Sequence, residues 1–486
     1  MNKEIRVLEP KNIWNKFADL NAVPRPSKHE ERVIEFMMDF GRSLGLETTK
    51  DAVGNVIIKK PASVGMEDRK TVILQSHLDM VHQKNADTDF DFSTQGIEMY
   101  VDGDWVKAKG TTLGADNGLG VATIMALLES KDISHPPLEA LFTIDEETGM
   151  TGAKGLQGGL LEGDILLNLD TEDDDEIDIG CAGGIDITAK GVYREIPLDE
   201  GFAAYKIVVK GLSGGHSGMD IHLGLGNANK IMNDLLIMGH EQLGLRISKI
   251  DGGGLRNAIP RESTALVAVK VSDSKELETL FKDWASNLKK EFAATEPNLV
   301  IFCEPAPLSQ MVMEAKDQLA LTEAIKNALN GVHAMSKTMI DLVETSNNIA
   351  RVEVGDGQIK IACLTRSSVE AGKMELAKNL QSNFEKAGYE VVLSGEYPGW
   401  NPNPDGAILE LLRTKYRELF NEQPRVVACH AGLECGILGK NYPGVDMISF
   451  GPTIKGAHSP DERASISSLQ KFWKFILEIL LEIPKK

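Results

Sequence analysis

A chain of 486 residues exceeds what one hydrophobic core usually serves, so its length calls for two domains. Its 42% hydrophobic and 26% charged residues are those of a globular protein without biased tracts. A formal charge of -20 repels phosphate backbones and anionic lipid, which sets aside nucleic acid and membranes as partners and favours a small ligand.

In chain order, Ser27 and Glu30 make a capping-box pattern, and Val33, Ile34, Met37, Phe40 and Leu44 recur at helical spacing. They predict a helix from about Lys28, weakened near its end by Gly41. Short apolar runs predict strands at 55–59, 71–75, 138–144 and 165–169, with an apolar helix at 118–128 between them. Such alternation argues for an α/β layer structure.

After Gly183 and Gly184 the pattern changes. A strand at 205–209 and a helix at 227–243 are followed by strand, helix, strand over 265–304 and again over 358–394, with helices starting near Ser274 and Ser368. The repeat points to an internal duplication. Gly355-Asp356-Gly357 fits a hairpin turn, and the Pro/Gly/Asn-rich stretch 397–404 reads as a linker. Beyond it the α/β pattern resumes with a helix from Asp405 and strands at 426–429 and 447–450. The expected organisation is an α/β domain with a mixed central sheet, formed by 1–186 and 398–486, interrupted by an α+β lid at 187–397.

Almost every strand assigned to the first domain is followed by a polar cluster, the place where open α/β sheets carry their sites. His77 and Asp79 follow the second strand, Asp145-Glu146-Glu147 the third, Asp170 the fourth, and His458 the last. Taken singly, each has an ordinary explanation: a surface histidine, an acidic loop, a turn-capping aspartate. Their conjunction supplies mixed imidazole and carboxylate ligands, which suit zinc, cobalt or manganese better than calcium. Asp116, between glycines in Gly114-Ala-Asp-Asn-Gly118, is placed to bridge two metals. Adjacent glutamates point differently, so Glu147 can bind metal while Glu146 handles a proton. Asp79 can hold the His77 imidazole in its metal-binding tautomer.

Three other patterns carry less. Gly211-Leu-Ser-Gly-Gly215 matches a nucleophile elbow but runs on into loop where the elbow needs a helix. Gly114 to Gly120 does not keep the G-x-G-x-x-G spacing of a phosphate loop. Cys181, Cys303, Cys363, Cys429 and Cys435 are scattered without a C-x-x-C pair, as in a reducing cytosol, and the N-terminal stretch lacks a signal peptide's apolar run.

The motifs Ser76-His-Leu-Asp-Met80, Gly114-Ala-Asp-Asn-Gly118, Asp145-Glu-Glu-Thr-Gly149, Asn168-Leu-Asp170, Gly214-Gly-His-Ser-Gly218, Asn257-Ala-Ile-Pro260 and Gly456-Ala-His-Ser-Pro-Asp461 resemble, in order, the signature stretches of the aminoacylase and carboxypeptidase-like dizinc peptidases. The stretches 180–184 and 430–434 extend the resemblance over nearly the whole chain. It implies two Zn2+, with Co2+ or Mn2+ as substitutes. His77 and Asp170 would hold one ion, Glu147 and His458 the other, and Asp116 both, with a cis peptide between Asp116 and Asn117. It further implies Glu146 as general base, Asp79 as support for His77, and His216 in the lid as a second donor to the oxyanion. Asn257 and Arg366 are candidates for the substrate's carboxylate end. The implied substrate is an unblocked dipeptide, preferably ending in histidine, with a related N-acyl amino acid amidohydrolase or aminotripeptidase as the alternative. A metal-dependent binding protein is the third reading, although such a protein has no use for a free carboxylate at Glu146. The family includes dimers formed through the lid, so a homodimer is a further expectation.

Overall fold

A computed structural model describes residues 2–486. Leu138–Thr143, Val72–His77 and Ile165–Asn168 are buried along their whole length, as continuous apolar runs require. They pair in parallel, and Asp446–Ser449 joins parallel to Ile165–Asn168. Val56–Lys60 and Glu47–Lys50 extend one side antiparallel, and Glu176–Cys181 and Arg425–Cys429 extend the other, giving eight strands of mixed direction. Helix Ala115–Glu129 is apolar on every face and buried over most of its length, while Lys11–Leu20, Glu31–Ser43, Ala407–Phe420 and Ile466–Glu482 turn one apolar face inward.

The capping box does not form. The helix begins at Glu31, Glu30 turns back to accept the Lys28 N–H at 2.9 Å, and the Ser27 hydroxyl donates instead to Asp79 at 2.8 Å. A long-range carboxylate has outcompeted the local cap.

This unit comprises Met1–Gly180, Pro402–Ala428 and Leu433–Lys486; the second comprises Cys181–Asn401 and Cys429–Gly432. Against expected boundaries at 186/187 and 397/398, the short loop 429–432 belongs with the second unit, where the Ala182 N–H donates to Cys429 O at 3.1 Å and Ala431 O at 2.9 Å.

The second unit contains the expected duplication, in nested form. Phe202–Lys210, Ala228–Leu243, Arg246–Gly253, Ser263–Lys270, Ser274–Glu291 and Val300–Pro305 run strand, helix, strand, strand, helix, strand. Gly183–Val192, Ala315–Asn327, Val343–Gly355, Gln358–Ser367, Glu370–Lys386 and Glu390–Tyr397 repeat that series, and each half has its fourth strand beside the first, then the third, then the second. The halves join where Arg246–Gly253 pairs antiparallel with Val343–Gly355. The hairpin turn at Gly355–Gly357 places Asp356 and Gly357 at positive φ, 51° and 73°.

Candidate functional site

The C-terminal ends of the parallel strands bring the predicted side chains of the first unit together. His77 ends its strand with its side chain buried, and its Nε2 lies 3.2 Å from Asp116 Oδ1 and 3.6 Å from Asp170 Oδ1. His458 Nε2 lies 3.2 Å from Asp116 Oδ2 and 3.0 Å from Glu147 Oε2. Asp116 thus gives one oxygen to each of two groups, His77–Asp116–Asp170 and Asp116–Glu147–His458, whose donor atoms lie within 4.8 Å of one another. Glu146 sits beside them, within the same reach of His77 and Glu147.

Each donor is held from behind. Asp79 accepts the Ser27 hydroxyl, lies 3.3 Å from His77 Nδ1, and accepts the backbone N–H of Glu146 at 3.0 Å and of Glu147 at 3.4 Å. One buried carboxylate therefore orients the imidazole and the glutamate turn together. The peptide between Asp116 and Asn117 is cis. Asn117 Nδ2 donates to Leu169 O at 2.6 Å and to Asp170 Oδ1. The buried Glu462 carboxylate accepts the N–H groups of Leu113, Gly114, Ala115 and Asp116 at 2.7, 3.0, 2.7 and 3.2 Å. Buried Arg25 donates to the carbonyls of Leu78, Asp79 and Gly114 at 3.0, 3.0 and 2.6 Å, fastening the His77 and Asp116 loops to each other. Gly120 permits the closeness: a Cβ there would lie 2.6 Å from Leu169 O and 2.5 Å from Asn117 Oδ1.

Charge in this cluster calls for cations. Burial holds Glu146 and Asp170 well above the ordinary carboxylate range, and neighbouring carboxylates add to the shift. Hydrogen bonds to Asp116 and Glu147 push His458 up to about 11. Burial works against a charged His77, but Asp170, Asp116 and Asp79 outweigh it and raise its pKa. Glu147 Oε1 is buried and finds no hydrogen-bond partner among the described residues. Three carboxylates, two imidazoles and an unsatisfied oxygen fit a pair of divalent cations sharing Asp116.

His216, Arg366 and Asn257 lie in the second unit. His216 Nδ1 accepts the N–H of Gly218 at 3.2 Å and of Met219 at 3.0 Å, which leaves the ring proton on Nε2. Burial, reinforced by Arg366, lowers the His216 pKa and keeps that ring neutral. Arg366 Nη2 lies 3.5 Å from His216 Nε2, and Arg366 Nη1 donates to the Tyr397 hydroxyl at 2.8 Å. Two donors so close favour a shared anionic or carbonyl acceptor. Asn257 is exposed, and the loop carrying it is fixed by buried Asn348, whose Nδ2 donates to Arg256 O at 3.1 Å and Ala258 O at 2.8 Å.

Sequence reasoning gave no site role to the side chains of Arg25, Ser27, Asn117, Glu434 and Glu462, although Asn117 and Glu434 lie inside the family-like motifs. Ser27 carries a local pattern that points to a different role, and the others carry none, since each works through partners distant in sequence.

Clusters that share a carboxylate are the means by which hydrolases hold two cations side by side, and they place this chain among the metallohydrolases. Residues 73–482 match the sequence model of peptidase family M20/M25/M40, and the chain belongs to that family. It is 44% identical over 483 residues to the cytosol non-specific dipeptidase of Escherichia coli K12, covering 99% of this chain and 100% of that protein. The crystal structure of aminoacylhistidine dipeptidase from Vibrio alginolyticus matches with a TM-score of 0.94 and 44% identity, covering 100% of this chain and 99% of that one. The aminopeptidase PepT of Bacillus cereus, at 16% identity and a TM-score of 0.57 over 98% of this chain and 99% of that one, shares the fold. Among the described residues no helix is long and apolar enough to cross a membrane.

Proposed function

We propose that the chain is a two-zinc dipeptidase that cleaves unblocked dipeptides in the cytoplasm, preferring a C-terminal histidine. The observation carrying this reading is Asp116, whose two oxygens each lie 3.2 Å from a different histidine. His77, Asp170 and Asp116 would hold one ion, and Glu147, His458 and Asp116 the other. Bound there, divalent zinc, or cobalt or manganese in its place, supplies Lewis acidity toward water and the scissile carbonyl.

The chain's own residues supply the rest. Glu146, beside the ligands His77 and Glu147, takes the proton of the attacking water and returns it to the departing amine. Asp79 holds the Glu146 N–H and the His77 ring and so keeps base and ligand in register. The His216 Nε2–H donates to the carbonyl oxygen as charge develops on it. Arg366 and Asn257 bind the terminal carboxylate of the peptide. The names of the two relatives at 44% identity support the substrate class.

Release of free amino acid from Xaa-His, Xaa-Leu and N-acetylated dipeptides tests the proposal. The expected result is cleavage of the unblocked peptides, fastest for Xaa-His, abolished by a chelator and restored by zinc. Cleavage of N-acetylated substrates alone would make the chain an amidohydrolase of the same metal chemistry and overturn the substrate class.

A further inference from the structure

Beneath the candidate ligands a line of buried polar side chains crosses the sheet of the first unit. Glu434 opens helix Glu434–Asn441, and its Oε2 accepts from Gln75 Nε2 and from the Thr143 hydroxyl, each at 2.7 Å. Gln75 Oε1 accepts from Asn168 Nδ2 at 2.5 Å, and Asn168 Oδ1 accepts from the Ser449 hydroxyl at 2.5 Å. Ser449 Oγ then lies 2.8 Å from Thr171 Oγ1, which lies 2.9 Å from Asp178 Oδ2. Gln75 and Ser449 are each in register with Asn168 on neighbouring strands, and Ser449 is in register with Asp178.

Counting protons decides the direction. The Ser449 proton is committed to Asn168, so its contact with Thr171 needs the Thr171 proton. Thr171 then has none left for Asp178, and the 2.9 Å contact needs a proton from Asp178. An ionised Asp178 would leave two oxygens facing each other through lone pairs in the interior.

We propose that Asp178 is a neutral carboxylic acid heading a one-way hydrogen-bond chain through Thr171, Ser449, Asn168 and Gln75 to the Glu434 carboxylate, which this chain makes a positioning residue for the site. Burial pushes Asp178 up to about 7, with Glu176 on its own strand adding to the shift; burial pushes Glu434 to about 7 as well, against His77 and the two donors it accepts, so the proton count and not the shift sets the direction. The Thr171 contact and Arg425 on the adjoining strand oppose the Asp178 shift, but the Arg425 guanidinium is already engaged by Asp173, Asp175 and Glu176. At the far end, Glu434 ties Gln75, two residues before His77, to Thr143, three residues before Glu146. It lies close enough to His77, Glu146 and Asp170 for its charge to act on each. It therefore sets the spacing of the two strands that deliver the imidazole and the base.

Thermal unfolding against pH tests the proton. A carboxyl that keeps its proton in the folded chain and loses it in the unfolded one withdraws stability as pH rises from about 4, where an unfolded aspartate titrates, to about 7. Asp178→Asn donates to Thr171 at every pH, so its Tm rises relative to wild type through that window, by on the order of 5 °C, and the gain holds above it. A flat difference overturns the proposal. So does the same gain in Glu434→Gln instead, which would put the proton at the other end. The positioning role is read from kinetics with the preferred dipeptide. Ser449→Ala cuts the chain and lowers kcat about tenfold with KM within about twofold, while Asp178→Asn keeps both. An unchanged kcat in Ser449→Ala, or an equal loss in Asp178→Asn, removes that role. The unfolding measurement is independent of the substrate assigned under the proposed function, so failure of one is distinguishable from failure of the other.

Discussion

Glu146→Gln lowers kcat by about 10³-fold, leaving KM within about twofold and the zinc bound per chain unchanged. Glutamine keeps the size of the side chain, and the backbone N–H that donates to Asp79 at 3.0 Å is untouched, so the turn stays in place. What is lost is the group proposed to accept a proton from water. The accompanying measurement is metal content by atomic emission on the purified variant. Loss of zinc together with activity would make Glu146 a ligand, since it lies within coordinating reach of His77 and Glu147, and would leave the general base unassigned.

Asp116→Asn has the larger effect, because the amide can offer an oxygen to one side only. Two histidines now face a single charged oxygen pair at 3.2 Å each, and the substitution breaks that symmetry at a carboxylate that is itself largely buried. Removing one partner of a buried charged cluster costs about 3–5 kcal/mol, so zinc binding at one position weakens by roughly 10²–10⁴-fold. Activity at micromolar zinc is then expected to vanish and to return only in part at high zinc. Calorimetric titration of the metal-free variant checks this: one tight event should remain where the wild type has two.

The donors at strand ends were legible because the strands themselves were. Val72–His77, Leu138–Thr143 and Ile165–Asn168 are largely apolar at their starts and turn polar toward His77, Asp145 and Asp170, and the change of chemistry marks both the sheet and its functional edge. Asp116 was legible from its glycines. The residues behind them were not, since Arg25 reaches the Gly114 carbonyl across 89 residues and Glu462 gathers four N–H groups from more than 340 residues away. No window of sequence holds such a pattern. Ser27 and Glu30 mark the opposite failure, a sound local motif overridden when Asp79 offered the serine a charged acceptor.

In the second unit, the strand–helix–strand repeats over 265–304 and 358–394 correspond to the last three elements of each half. The opening elements were hidden by nesting: Gly183–Val192 and Ala315–Asn327 belong to one half but are separated in sequence by the whole of the other. A period can be read only when its members follow one another.

Titration of the metal-free protein with zinc, following activity and bound metal together, tests the central claim most directly. Sharing of Asp116 between His77 and His458 predicts that both rise to a plateau at two zinc ions per chain. Saturation of bound metal and activity at a single ion would contradict the shared carboxylate and the two-metal reading built on it.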